Sequence, residues 1–226
     1  MIARLRDNFV TLIFVVAIVI LTVTFSIGLP IYIRPVYYAH LPFIQNQVYE
    51  WTDVMVEEDV ITEAYDEILD FLTLPNKEFG SGRMPYSEAG KGHFEDCKVL
   101  FDLNRNAFFI SLYVVVLLLV WDKCGIIKIV KPRRLSPTFW AGVGTLLFFA
   151  TLALVVASNF KVAFNTFHKL FFPGKSNWMF NPYTDPIILF MPNEFFMNCA
   201  VLICLSIFSI SLIHIAFGLI RRKIHN

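Results

Sequence analysis

Two histidines, His93 and His168, and one carboxylate, Asp96, have the types and placing that could do chemistry. Imidazoles titrate near neutral pH, so a pair of them can serve as general base and general acid. Asp96 follows His93 by three residues, which makes them neighbours on a helix. A wheel at 100° per residue gathers Glu88, Lys91, Glu95, Lys98 and Asp102 into one charged stripe. His93 and Asp96 fall on the other side, with Phe94, Cys97, Leu100 and Phe101. A buried carboxylate is costly unless paired, and His93 is the nearest partner the sequence offers. The bland alternative is that both histidines are ordinary interfacial residues. A metal site that uses Asp96 as a ligand is a third reading.

Other chemistry is thin. GxSxG, HExxH, GxxxxGK[ST] and GxGxxG are all absent from the chain. The cysteines Cys97, Cys124, Cys199 and Cys204 show neither metal-type nor disulfide-type spacing. Cys97 reads as a small buried hydrophobe. His40 follows Tyr32, Tyr37 and Tyr38 in what looks like an aromatic belt, His214 lies deep in an apolar run, and His225 is in the tail.

The elements that must position these residues are set by composition. Of 226 residues, 57% are hydrophobic and 16% charged, with a net charge of +1. So little charge does not cover a soluble domain of this size, and no basic arm points to nucleic acid. Apolar runs occupy Phe9 to Leu29, Ala107 to Trp121, Phe139 to Ser158 and Met197 to Ile220. Each but the second is long enough for a bilayer core, and the second recruits flanking residues between Arg105 and Lys123. The first run is too long for a signal h-region and lacks a cleavage site after it, so it is expected to remain as an anchor. No Asp, Glu, Lys or Arg interrupts any run, so no intramembrane proton or ion path is visible.

Lys and Arg cluster before the first run, between the second and third, and after the fourth. The positive-inside tendency then puts both termini in the cytoplasm and the intervening acidic segment outside. The expected organisation is all-α, with four transmembrane helices and a mainly helical extracellular cap. Residues 1–30 form the N-terminus and first span, and 31–106 the cap. Residues 107–158 hold the second and third spans with their basic loop, 159–198 an aromatic outer segment, and 199–226 the fourth span and basic tail.

Within the cap, Glu57 to Leu72 reads as an amphipathic helix with Ile61, Tyr65, Ile68 and Leu72 on one face. A second helix is expected after the N-cap Ser87, ending at Asn104-Arg105-Asn106 and lying along the membrane surface. In the aromatic segment, Phe160, Phe164, Phe167 and Phe171 form a helical stripe beside His168, stopped by Pro173-Gly174. Three X-Pro steps then make Lys175 to Asn193 mostly non-helical.

These motifs carry a resemblance. The stretch Ser87-Glu88 … His93-x-x-Asp96-x-Lys98-x-x-Phe101 resembles the bacterial lipoprotein intramolecular transacylases. So does Phe164-x-x-Phe167-His168-x-x-Phe171-Phe172, followed by Trp178-x-Phe180-x-Pro182-x-x-Asp185-Pro186 and Pro192-x-x-Phe195-Phe196. The order of spans and loops also matches, over essentially the whole chain.

The resemblance implies a multi-pass enzyme of the bacterial cell membrane. Its substrate is a lipoprotein whose N-terminal cysteine carries a diacylglyceryl group on sulfur. The enzyme moves the acyl chain from the middle glycerol oxygen to the cysteine α-amine. His93 and His168 match the family's catalytic histidines. Asp96 and Asn165 are then supporting residues, and Phe164, Phe167, Phe171, Trp178, Phe180 and Asp185 line the substrate. No cofactor or metal is implied, and the partners are the lipoprotein and membrane lipid. Two rival classes are a non-catalytic sensor or assembly subunit and a metal-dependent membrane hydrolase.

Overall fold

The computed structural model describes residues 2–224, so His225 lies outside the described residues. Four of its helices are long and apolar enough to cross a membrane. They are α1 (Ile2–Tyr32), α5 (Glu88–Lys123), α6 (Pro137–Ser158) and α9 (Asn193–Ile224). The remaining helices are α2 (Pro35–Tyr38), α3 (Leu41–Thr52), α4 (Glu58–Thr73), α7 (Phe160–Phe171) and α8 (Ile187–Phe190), with a 3₁₀ turn at Pro132–Arg134. The protein is thus an all-α membrane protein with a helical cap, and its contacts divide it into two units.

The first unit comprises residues up to Gly28, Asn104–Val155 and those from Leu202 onward. With no hydrophobic drive between helices in lipid, small residues and polar contacts hold them together. A Cβ on Gly142 would stand 2.7 Å from the Ser211 carbonyl, and one on Gly218 2.6 Å from Phe139 Cβ. Glycine is therefore what lets α6 and α9 touch. Ser26 is fully buried and shares a 2.9 Å hydrogen bond with Ser206. Phe14, Ala17, Ile18, Val115, Leu118 and Ala141 form the apolar centre of this unit.

The second unit, Leu29–Leu103 and Val156–Val201, has a conventional core. The face expected of α4 is the buried one: Ile61, Tyr65, Ile68 and Leu72 are all under 5% exposed. They meet Tyr37, Leu41, Ile44 and Val48 from α2 and α3, and Ile187 and Phe190 from α8. Tyr37 stacks on Tyr65 at 3.6 Å between ring centroids, and its hydroxyl donates to the Phe190 carbonyl at 2.8 Å. Lys98 of α5 donates to the Phe71 carbonyl and, at 3.0 Å, to that of Leu74, satisfying the C-terminal end of α4.

One expectation is corrected. The break at Asn104-Arg105-Asn106 does not occur, and with it goes the helix lying flat on the surface: α5 runs unbroken for 36 residues. Asn and Arg cost well under 1 kcal/mol each in a helix interior, and no Pro or Gly interrupts this stretch. Asn104 has moreover found an acceptor in the Thr24 carbonyl at 3.2 Å. Lys175 to Asn193 is mostly non-helical, as expected, apart from one helical turn, α8, started by Pro186, whose fixed φ suits a helix beginning.

Candidate functional site

His93 lies in the first turns of α5, fourteen residues before Ala107, or about 21 Å of helix rise. Five charged residues, Glu88, Lys91, Glu95, Asp96 and Lys98, surround it in sequence, so it precedes the apolar stretch that spans the membrane. The start of this helix is built by Ser87. Its Oγ accepts from the Gly90 N–H at 3.0 Å, as an N-cap does.

Asp185 fixes that cap. Its carboxylate accepts the Ser87 N–H at 2.8 Å, the Ser87 hydroxyl at 2.8 Å and the Thr184 hydroxyl at 2.7 Å, and it is 3% exposed. Asp185 was expected to touch substrate. It is buried instead, with both oxygens engaged, because the turn after Pro182 brings it under the beginning of α5. The same contact explains a helical glycine. A Cβ on Gly90 would come within 2.2 Å of Asp185 Oδ1 and 3.0 Å of the Phe180 ring, so only glycine fits there. At Gly92 the nearest atom is Asn177 Nδ2 at 3.7 Å, an ordinary contact.

His168 lies in the last turn of α7, a helix capped by the Asn159 side chain accepting from the Val162 N–H at 3.0 Å. The helix has the expected bounds, but half of its Phe stripe faces away from the core. Phe167 and Phe171 are 47% and 46% exposed, and Leu170 is 71% exposed, whereas His168 is the buried residue at 8%. Phe167 and Phe171 pack chiefly on each other, with centroids 4.5 Å apart.

The fold brings the two histidines together. Their ring centroids are 5.7 Å apart. Aromatic rings enclose both: Phe164 at 4.3 Å and Trp178 at 4.7 Å from His168, Phe180 at 5.5 Å from His93. Phe172 touches both, at 5.0 Å from His93 and 5.8 Å from His168. It is 4% exposed, and its only signal in the sequence is the Phe171-Phe172 doublet that ends the motif. Asn165 is half-buried one turn before His168.

The two imidazoles have opposite surroundings. His168 Nδ1 donates to the Phe164 carbonyl at 2.8 Å, which leaves Nε2 with the lone pair in the neutral ring. His93 Nε2 lies 3.5 Å from Cys97 Sγ, and its Nδ1 is buried without a protein partner. Burial holds the Cys97 thiol protonated, with its pKa pushed up to about 12. A protonated thiol can donate to Nε2, and in that tautomer the ring proton of His93 sits on Nδ1. Burial, joined by the nearby His168, pulls His93 down to about 4, against a smaller opposing pull from Asp96. Burial also lowers His168, partly offset by its bond to Phe164. Both rings are neutral at pH 7.

Asp96 was expected to pair with His93. Its carboxylate is held instead by the Lys175 ammonium and by Asn177 Nδ2, the latter at 3.1 Å. These bonds, with burial opposing, hold its pKa below the usual carboxylate range. A charged ammonium outcompetes a neutral imidazole for a carboxylate, and Lys175 arrives from a loop no wheel could have placed. His40 is satisfied at both nitrogens, by the Val36 carbonyl at 2.7 Å and Asn198 Nδ2 at 2.8 Å. His214 lines a cavity of about 290 Å³ in the first unit, with Ile18, Phe25, Phe108 and Ile210. Among the described residues, no three His, Cys, Asp or Glu side chains gather in a metal-holding cluster.

Comparison with known proteins gives the family and the fold. Residues 12–196 match the model of the family described as "Lipoprotein intramolecular transacylase Lit". An uncharacterized protein of Aquifex aeolicus is 24% identical over 143 residues, which cover 63% of this chain and 61% of that relative, less than two thirds of its length. The in meso structure of the membrane integral transacylase Lit from Bacillus cereus superposes with a TM-score of 0.84 at 24% identity, covering 96% of each chain. Two further structures of that protein, in which one histidine is replaced by arginine or by alanine, give TM-scores of 0.77 at 24% identity. They cover 96% and 98% of this chain, and 92% and 96% of theirs. With four helices long and apolar enough to cross a membrane, and with residues 12–196 matching the family model, this chain belongs to the lipoprotein intramolecular transacylase family.

Proposed function

We propose that this chain moves the sn-2 acyl chain of a diacylglyceryl-modified lipoprotein N-terminal cysteine onto that cysteine's own α-amine. The product is the N-acyl, lyso-glyceryl thioether. The reaction conserves its atoms. The amine nitrogen forms a bond to the ester carbon and loses a proton, the bond from that carbon to the glycerol oxygen breaks, and the oxygen gains a proton. Nucleophile and ester belong to one molecule, so no enzyme nucleophile is needed, and Cys97 stays a thiol.

The observation that carries the mechanism is the opposed hydrogen bonding of the two imidazoles. His168, with Nδ1–H tied to Phe164, offers Nε2 as the base that takes the amine proton and returns it to the departing oxygen. His93, with its proton on a partnerless Nδ1, donates a hydrogen bond to the negative oxygen that develops at the ester carbon. A neutral imidazole is suited to this, because it needs no counter-charge in a dry site. Ring closure through nitrogen, Cα, Cβ, sulfur, two glycerol carbons, oxygen and the acyl carbon is entropically awkward. Phe164, Phe172, Trp178 and Phe180 favour the folded substrate by enclosing it. The cap, in this reading, faces outward, with both termini in the cytoplasm of a bacterial cell.

Mass spectrometry of a lipoprotein N-terminus, from cells with and without this chain, tests the proposal. The expected change is from a free amine on a diacylglyceryl cysteine to an N-acyl cysteine with one acyl chain left on glycerol. An unchanged N-terminus assigns the protein to a binding role, and loss of an acyl chain to water makes it a hydrolase.

A further inference from the structure

Asn177 just precedes two of the residues that enclose the histidines: Trp178 stacks on His168, and Phe180 packs against His93. Its amide orientation is determined. Nδ2 donates to Asp96 Oδ2 at 3.1 Å, and a carboxylate accepts only, so the amide cannot be turned round. A Cβ added at Gly92, the residue before His93, would meet Nδ2 at 3.7 Å. The amide oxygen is consequently directed away from Asp96, and it is buried with no partner in the protein. A buried acceptor without a donor is costly. His93 Nδ1, the other orphan in the site, lies on the residue that follows Gly92. Asn177 Oδ1 and His93 Nδ1 are thus both buried and both without a protein partner.

We infer that Asn177 Oδ1 is the substrate's amine-binding acceptor, an inference that rests on the transacylase reading. A primary amine attacking an ester carries two N–H bonds once it has delivered its lone pair. One proton passes to His168. The other stays on nitrogen as the amide N–H of the product, and Asn177 accepts it throughout. Holding that second N–H turns the nitrogen lone pair toward the ester carbon, and it selects a nitrogen bearing two hydrogens. Asp96 is a positioning residue here, because it sets the amide and does not touch substrate.

The test uses purified full-length protein in detergent and two synthetic lipopeptides. One has the free α-amine of a diacylglyceryl cysteine; the other has the same amine N-methylated. The neutral methylated amine has a single N–H, which the base removes, so nothing remains for Asn177 to hold. Wild type is expected to prefer the primary amine by about 10²-fold or more, and Asn177→Ala to lower the primary-amine rate by about 10–10²-fold while barely changing the methylated one. Asn177→Ser, which is small and polar, should give the same collapse of preference. Because each preference is a ratio within one preparation, partial loss of folded protein cancels. A preference that stays at the wild-type value in both variants overturns the inference and leaves the reaction standing. If wild type transfers no acyl chain in the primary-amine peptide, the transacylase reading itself fails, and this assignment fails with it.

Discussion

At the scale of single residues, the proposed chemistry depends on keeping two imidazoles neutral. Ordinary imidazole is half-protonated near pH 6.5, but burial lowers both His93 and His168. The base is therefore already free at pH 7, and the acid limb of the kcat/KM profile is expected below pH 6.5. His168→Ala should reduce N-acyl transfer by about 10²–10⁴-fold, and His93→Ala by about 10²–10³-fold, the usual cost of an oxyanion donor. Both should remain folded in detergent. Near-normal transfer by either variant would reassign that histidine to packing. Linkage adds a stability signature. His93 binds its proton more weakly when folded, so unfolded chain takes up the extra proton as pH drops below 6.5. Stability is full above that value and falls with a slope of at most about 1.4 kcal/mol per pH unit toward about 4. Thermal midpoints at pH 7 and pH 5 should differ for wild type and differ less for His93→Asn; equal differences would contradict the buried neutral ring.

At the scale of elements, the site is held by the loop after α7 reaching back to the start of α5. Two ties do this, and they differ in kind. Asp185 is buried and accepts from Ser87 and Thr184, so Asp185→Ala leaves buried donors unpaired and is expected to destabilise the cap by about 2–3 kcal/mol. Gly90→Ala should act in the same direction, since its methyl would occupy the space of the Asp185 carboxylate. The second tie runs from Asp96 to Lys175 and Asn177. The Lys175 side chain is 50% exposed, so its ion pair is screened by solvent and contributes little by itself. Lys175→Ala is accordingly expected to keep most activity, whereas Asp96→Ala should lower it by releasing the Asn177 amide. Equal losses in the two variants would mean that the ion pair, and not the amide, is what matters. Chemical denaturation for Asp185 and Gly90, and initial rates for Asp96 and Lys175, are the measurements.

At the scale of the whole molecule, three of the four long helices exceed a bilayer core. At about 1.5 Å per residue, α1, α5 and α9 extend to roughly 46–54 Å, against about 30 Å of hydrocarbon. Only α6 has the length of a simple crossing. The surplus of α5 carries His93, so the helix that anchors the chain is also the scaffold of the site. Side chains on rigid helices hold their geometry better than side chains on loops. Orientation is the property to test at this scale. Lys/Arg asymmetry places Lys77 outside and Lys131 inside. A reporter fused at Lys77 should read external and one at Lys131 cytoplasmic; a cytoplasmic reading at Lys77 would invert the site along with the topology.

Local pattern was enough to settle much of this. Runs of uncharged residues gave the four spans, period 3.6 gave the buried face of α4, and Pro173-Gly174 gave the end of α7, because each depends on neighbours a few positions apart. His93 and His168 stood out as ionisable groups on apolar faces, and both are buried. What the sequence could not supply lies across long separations. Asp96 meets Lys175 and Asn177 from 79 and 81 positions away, and Ser87 meets Asp185 from 98. The loop delivering all three is interrupted by prolines and has no periodicity to read. Tertiary structure alone decided that Asp96 serves a lysine and an amide in preference to a histidine, because a carboxylate pairs with the strongest donors that packing brings within reach. Packing likewise decided which ring nitrogen of each histidine is free, since a tautomer is set by whichever partner reaches the other nitrogen.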